Sequence, residues 1–253
     1  MAFCELHYSS GSLGKQTAAN VFVPQDVPGP FAVLYLLHGL SDNHTIWQRN
    51  TRLETYLAGL PLIVVMPDGG RGFYTDAEQG PKYESSIIHD LIPFIDATFN
   101  TRAERGGRCV GGLSMGGYGG VKLALKHPHV FISGHSHSGA LDFARNFQNR
   151  ESSDWTAEFA PVFGAKPAGG PNDCFALADQ AASNPDRPAL RIDCGVDDFL
   201  IEENRSFHAH LDALGFSHEY EEFPGAHNWE YWDTHIREAL LFHARHLFPR
   251  ARS

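Results

Sequence analysis

Two hydrophobic spacings alternate along this chain. Phe31 to Leu37 and Leu62 to Met66 are unbroken apolar runs, the pattern of strands covered on both faces. Asn20-Val21-Phe22-Val23-Pro24 reads as an early antiparallel strand, and His129 to Gly134 as a strand in mid-chain. Helical spacing lies between and after these runs. Thr51 to Leu57 predicts a short helix. Ser85 to Phe99 carries Ile88, Leu91, Ile92, Ile95 and Phe99 on one face, with Pro93 predicting a kink or a break. Ile201 to Leu214 predicts a helix stopped at Gly215. Glu230 to Phe248 predicts a terminal helix with Trp232, Ile236, Leu240, His243 and Leu247 on one face. Strands alternating with helices predict an α/β fold, a mostly parallel central sheet with helices on both faces.

One stretch breaks the alternation. Residues 141–187 are rich in Pro, Gly, Asn and Asp, interspersed with Phe143, Phe147, Trp155, Phe159, Phe163 and Phe175. A single domain over 1–253 with a lid or pocket-wall insertion at 141–187 accounts for it. The plainer account is a surface excursion anchored by its aromatics.

The sharpest chemical signal lies at Cys109-Val110-Gly111-Gly112-Leu113-Ser114-Met115-Gly116-Gly117. Gly112-x-Ser114-x-Gly116 between an apolar stretch and a helix-compatible one is the context of a nucleophile elbow. The turn is so tight that the serine's neighbours must be nearly free of side chain, which glycine provides. A serine hydroxyl is a poor nucleophile without an imidazole base, and the imidazole needs a carboxylate to fix its tautomer. Both appear downstream in the Ser…Asp…His order of α/β-hydrolases. Asp193, Asp197 and Asp198 follow the apolar Ala189 to Ile192, and His227 stands in Pro224-Gly225-Ala226-His227-Asn228-Trp229. His38-Gly39 directly follows the first long apolar run. A loop there supplies one oxyanion donor and the residue after the nucleophile the other. The assignment is therefore Leu40 N–H and Met115 N–H, worth about 3–4 kcal/mol each to the transition state.

Several of these pieces together resemble one family. Leu37-His38-Gly39-Leu40, Met66-Pro67-Asp68-Gly69, Gly112-Leu113-Ser114-Met115-Gly116-Gly117, Ser138-Gly139-Ala140, Cys194-Gly195-x-x-Asp198-Phe199-Leu200 and Pro224-Gly225-x-His227-x-Trp229 span nearly the whole chain. They are similar to esterases of the group that includes S-formylglutathione hydrolase (esterase D), tributyrin-type short-chain esterases, feruloyl esterases and mycolyltransferases. The resemblance implies an α/β-hydrolase fold and selects Asp198, the acid three residues after the glycine and before Phe-Leu. Asp193 and Asp197 remain as alternatives, with a cap on the following helix as the other reading of Asp197. S-formylglutathione hydrolases usually carry Thr-Cys soon after the loop leucine, where this chain has Leu40-Ser41-Asp42-Asn43-His44, followed by Trp47. That departure points to the short-chain branch. The implied activity is hydrolysis of short acyl esters through an acyl-Ser114 intermediate, with a glutathione thioesterase or an acyltransferase as alternatives. His38, Tyr83, Trp155 and Trp229 are the pocket candidates, although an aromatic beside a motif is ordinarily core.

Composition narrows the partners. A net charge of −10 argues against nucleic acid and anionic membranes, and no apolar run is long enough to span a bilayer. No basic-then-apolar leader opens the chain, and the four cysteines are scattered without a C-x-x-C pair. Both fit a cytoplasmic protein with free thiols. The expected partner is a small-molecule ester, with a homo-oligomer left open. The chemistry needs no metal or organic cofactor. Among fifteen histidines, His135 and His137 would share a strand face and His208 and His210 would diverge on a helix. Neither pair has an evident third ligand, so all four read as core or surface histidines. Glu84 and Asp90 read as helix-start charges.

Overall fold

The computed structural model describes residues 1–149 and 153–249. Eight strands form one sheet: β1 (Ala2–Ser10), β2 (Lys15–Val23), β3 (Ala32–Leu37), β4 (Leu62–Pro67), β5 (Arg108–Leu113), β6 (Ser133–His137), β7 (Ala189–Gly195) and β8 (Glu219–Phe223). Their order is β1-β2-β4-β3-β5-β6-β7-β8. β1, β2 and β4 pair antiparallel, and every pair from β4 through β3 to β8 is parallel. β3 and β4 are buried at every residue, as their unbroken apolar runs predict.

The helices are α1 (Ile46–Asn50), α2 (Leu53–Tyr56), α3 (Tyr83–Ser85), α4 (Ile92–Thr98), α5 (Met115–Lys126), α6 (Ser153–Phe163), α7 (Cys174–Ala181), α8 (Ile201–Ala213) and α9 (Trp229–Leu247). They cover both faces. Leu34, Leu36 and Val64 meet Trp47, Leu53, Ile236 and Leu240 on the α1, α2 and α9 side. Val33, Tyr35 and Val65 meet Ile95, Val121, Ala178 and Phe207 on the other. The alternation of neighbours within β3 follows from the two-residue period of a strand. This is the mostly parallel α/β-hydrolase architecture. Among the described residues, no helix is long and apolar enough to cross a membrane, and the four cysteines are free thiols.

Four local expectations change. The strand expected at His129 to Gly134 lies four residues later, at Ser133–His137, with all five residues buried. Its polar residues are tied to neighbouring elements: Ser133 Oγ lies 2.8 Å from His243 Nδ1 of α9, His135 Nδ1 lies 2.7 Å from His243 Nε2, and His137 Nδ1 lies 2.8 Å from Asp193 Oδ1 of β7, while Ser136 Oγ has no partner among the described residues. β1 adds a strand at the sheet edge. Cys4, Leu6 and Tyr8 face inward and Glu5, His7 and Ser9 outward, an alternation present in the sequence. The expected helix is interrupted, and the interruption falls just before Pro93 rather than at it. A π-helical stretch, Ser86–Leu91, joins α3 to α4 and places Pro93 in the first turn of α4, where its missing N–H costs least. α5 starts directly after Ser114 and takes the glycines inside it. A Cβ on Gly116 would lie 2.4 Å from the Leu37 carbonyl oxygen, and one on Gly120 would lie 2.6 Å from Gly111 Cα. Glycine at both positions lets the helix backbone lie against the sheet.

Glu84 also departs from its assignment as a helix-start charge. It is 5% exposed and gathers three cationic groups. Lys122 Nζ bonds it at 2.8 Å, Lys126 Nζ lies 2.9 Å away, and His127 Nε2 lies 2.9 Å away. The buried Lys122 ammonium also donates to the Tyr74 carbonyl at 2.6 Å, bracing a turn in which Phe73 and Tyr74 both hold positive φ. Burial by itself would raise the Glu84 carboxyl, but the bonds from His127, Lys122 and Lys126 outweigh it and hold it far below 4.5. A carboxyl depressed in the folded state stabilises above its unfolded pKa, and that contribution is lost as pH falls. Stability should therefore decline below pH 4.5, the ordinary glutamate value. Glu84→Gln should flatten this acid limb and cost about 3 kcal/mol at neutral pH, since it leaves Lys122 unpaired. Thermal melts from pH 3 to 7 on both proteins check this; identical acid limbs would remove Glu84 as the cause.

Candidate active site

Ser114 sits between β5 and α5 at φ 54°, ψ −117°, a conformation that is strained for any residue bearing a side chain. The surroundings hold it there. Its N–H donates to the His137 carbonyl at 2.9 Å, and its own carbonyl accepts from Tyr118 N–H at 3.0 Å and Ala140 N–H at 3.2 Å. The hydroxyl consequently stands above the carboxyl end of the sheet, where loops from several strands converge.

Two of those loops bring the other members of a hydrogen-bonded line. His227 Nε2 lies 3.1 Å from Ser114 Oγ. Its Nδ1 lies 2.9 and 3.0 Å from the two Asp198 carboxylate oxygens. Asp198 comes from the turn after β7, where its Oδ1 also accepts the Leu200 N–H at 2.8 Å. Burial would raise this carboxyl, but His227, the Leu200 N–H and the Ser138 hydroxyl lower it more, so it stays below the ordinary aspartate value. An ionised Asp198 keeps the proton on Nδ1 and leaves the Nε2 lone pair facing the serine. Such a line can carry the hydroxyl proton away as the oxygen attacks a carbonyl.

The competing acids are placed elsewhere. Asp193 is buried against His137 Nδ1 at 2.8 Å and the Tyr231 hydroxyl at 3.0 Å. Asp197 is exposed, and the capping bond to Leu200 comes from Asp198 instead. Of the histidine pairs, His135 and His137 are buried in β6. Burial and the neighbouring His137, His243 and Arg191 depress the His135 imidazole, keeping it neutral. On α8, His210 lies 2.9 Å from Asp179, while His208 meets His218 at 2.8 Å.

The loop after β3 closes against the serine: a Cβ built on Gly39 would lie 3.6 Å from Ser114 Cβ. Among the described residues, Leu40 N–H donates to no backbone or side-chain acceptor. Met115 is the first residue of α5, so its N–H has no carbonyl one turn back within the helix. His38 does not line a pocket. It is 1% exposed, and its Nε2 accepts the Gly69 N–H at 2.9 Å. That leaves the ring proton on Nδ1, 2.8 Å from the Gly39 carbonyl. Because a trans peptide points its N–H opposite to its C=O, this bond fixes the direction of the Leu40 N–H.

Tyr83 packs over Gly70 and Gly72. Trp229 stands edge-on to Trp47 and Trp232, with ring centroids 5.4 and 5.2 Å away. Trp155 is 42% exposed on α6, stacked on Phe159. The insertion aromatics Phe143, Phe147, Phe159 and Phe163 are buried and pack on one another and on Phe73.

Three further residues touch the line. Trp232 presents its indole edge to the His227 ring at 4.9 Å, and its Nε1–H donates to Ser138 Oγ at 3.2 Å. Ser138, at φ 50°, has its hydroxyl near enough to Asp198 to help hold that carboxyl low. Phe199, 76% exposed, lies 4.5 Å from the His227 ring on its open side. The Ser138-Gly139-Ala140 motif was the signal for Ser138. Trp232 was visible only as a core position of its helix.

Residues 10–243 match the model of the family described as Putative esterase. An acetyl esterase of Caldicellulosiruptor saccharolyticus is 29% identical over 260 residues, covering 95% of this chain and 97% of that one. The substrate-bound structure of FphF, a fluorophosphonate-binding serine hydrolase of Staphylococcus aureus, superposes with a TM-score of 0.87 at 29% identity, over 96% of this chain and 98% of the other. An S-formylglutathione hydrolase (FrmB) of Staphylococcus aureus superposes with a TM-score of 0.84 at 29% identity, over 96% and 98%.

Proposed function

We propose, from the premise that this chain belongs to the Esterase family, that it is a serine carboxylesterase cleaving short-chain acyl esters. The observation that carries this reading is the unbroken line from the strained Ser114 through His227 to the buried Asp198. Ser114 attacks the ester carbonyl while His227 Nε2 takes its proton. The Leu40 and Met115 N–H groups hold the oxyanion. His227 then protonates the departing alcohol, leaving acyl-Ser114, and activates the water that hydrolyses it. Asp198 stays ionised and orients the imidazole. Apart from 150–152, which lie outside the described residues, residues 141–187 serve as the pocket wall of a single domain. Because their phenyl rings fill the space against one another, they favour a small acyl group over a long one.

A p-nitrophenyl ester series from acetyl to octanoyl, run beside S-formylglutathione, tests the substrate class. Activity peaking from acetyl to butyryl supports the ester reading. A kcat/KM for S-formylglutathione orders of magnitude higher would replace it with thioester hydrolysis, the activity in the FrmB name. Transfer of the acyl group to added alcohols in preference to water would make the protein an acyltransferase.

The His38 bond to the Gly39 carbonyl makes His38 a positioning residue for the oxyanion loop. His38→Phe keeps the ring volume and removes both hydrogen bonds. It should lower kcat about 10²-fold, the effect of losing one oxyanion donor, with KM nearly unchanged. A variant with reduced melting temperature and wild-type kcat would make His38 purely structural.

A further inference from the structure

We propose that His208, His218 and Asp212 form a binding site for a divalent transition-metal ion, zinc by preference, near the end of α8 remote from the serine line. Three ligating side chains converge there, with one donor atom of each within 4.8 Å of the others. His208 and Asp212 are one helical turn apart, with Nε2 and Oδ2 separated by 3.5 Å. His218 comes from beyond Gly215, whose φ of 63° turns the chain back. At 1.5 Å per residue, Asp212 lies about 16 Å along α8 from Ile201, the first helical residue after the Asp198 turn.

The hydrogen bonds define which nitrogens are free. His218 Nδ1 lies 2.7 Å from the Phe216 carbonyl, which can only accept. The Nδ1 proton is therefore committed, and Nε2 presents its lone pair. Metal-bound histidines are ordinarily oriented by such a carbonyl. That lone pair faces His208 Nδ1 at 2.8 Å. In the neutral cluster the single shared proton belongs to His208 Nδ1, so His208 Nε2 turns its own lone pair toward the Asp212 carboxylate. Two imidazole lone pairs and a carboxylate thus meet with one proton among them. The His208 ring is held in place by Tyr220 of β8, stacked at 4.1 Å and 7°.

Imidazole nitrogen donors, one of them oriented by a carboxylate, suit zinc, nickel or copper rather than calcium or magnesium. On binding, the ion takes the place of the shared proton between His208 Nδ1 and His218 Nε2, and that proton moves to His208 Nε2, where the Asp212 carboxylate accepts it and orients the ring. Zinc–nitrogen bonds of about 2.0–2.1 Å in a tetrahedral site would open the two nitrogens to about 3.3 Å. Both rings are half-buried and Asp212 is exposed, so rotation of these side chains accommodates the change. Water completes the coordination. The ion would tie α8, the turn after it and β8 together.

The test is thermal unfolding of the metal-free protein with zinc chloride or magnesium chloride, alongside titration calorimetry. Zinc at 100 times its Kd should raise the melting temperature of wild type by about 5 °C, with one ion bound at this site. Magnesium should do nothing. His218→Gln and Asp212→Asn should lose or weaken that shift and keep wild-type ester turnover, since neither lies near Ser114. Asp212 is exposed, so its variant separates loss of metal from loss of fold. No zinc-dependent shift in wild type, or the same shift in both variants, would overturn the proposal.

Discussion

Ser114→Ala should lower kcat by about 10⁵-fold or more, the loss seen when a triad nucleophile is removed, and leave the fold intact. Among the described residues the Ser114 hydroxyl has one side-chain partner, His227 Nε2 at 3.1 Å, so its loss leaves no buried donor stranded. The backbone at φ 54° is strained for alanine as well, so Ala should melt near wild type. Ser114→Gly removes the Cβ that makes this φ costly and should raise stability by about 1 kcal/mol while being equally inactive. Opposite movement of activity and stability would locate the strain at the nucleophile. Retention of more than about 1% of activity by the alanine variant would remove Ser114 from the chemistry, given the size of the expected loss.

The second large effect separates three neighbouring aspartates. Asp198→Asn should lower kcat about 10⁴-fold, because an amide at this position stabilises the wrong imidazole tautomer. Asp197→Asn should remain near wild type, since its side chain is exposed. Asp193→Asn should act through stability instead. Asp193 is buried against His137 and Tyr231, and neutralising it costs about 3 kcal/mol. Paired measurement of kcat and melting temperature distinguishes the three. If Asp193→Asn kept its melting temperature and lost turnover as Asp198→Asn is expected to, the acid assignment would be wrong.

Most of the central sheet is legible in the chain because its strands are covered on both faces, which forces unbroken apolar runs. β6 is the exception that explains the rule. Its Ser133 and His135 bond His243 of α9 and its His137 bonds Asp193, so burial there leaves no hydrophobic mark. The apolar Val130-Phe131-Ile132 before it drew the expected strand four residues too early. At the candidate site, Ser114, Asp198 and His227 are each announced by a local motif, and they stand within hydrogen-bond reach. His38 and Trp232 are not legible in this way. Their placement depends on contacts to Gly69 and Ser138, distant in sequence, which no local pattern encodes. The pocket candidates fared the same way: Trp229 and Tyr83 flank motifs in sequence, yet their rings are engaged by Trp47 and by the glycines at 70 and 72.

The two ends of the sheet also decide how chains can meet one another. β8 reads Glu219-Tyr220-Glu221-Glu222-Phe223, with Arg191, Arg205 and Arg245 paired to its acids. At the opposite end, β1 turns Glu5, His7 and Ser9 outward. A foreign strand adding to either border would have to lie along these polar and ionic groups, and charged side chains on border strands are how sheets resist such growth. Self-association of the folded protein is thereby steered away from strand addition, and the resistance to fibrillar aggregation built into these borders weakens wherever their charges are replaced by apolar residues.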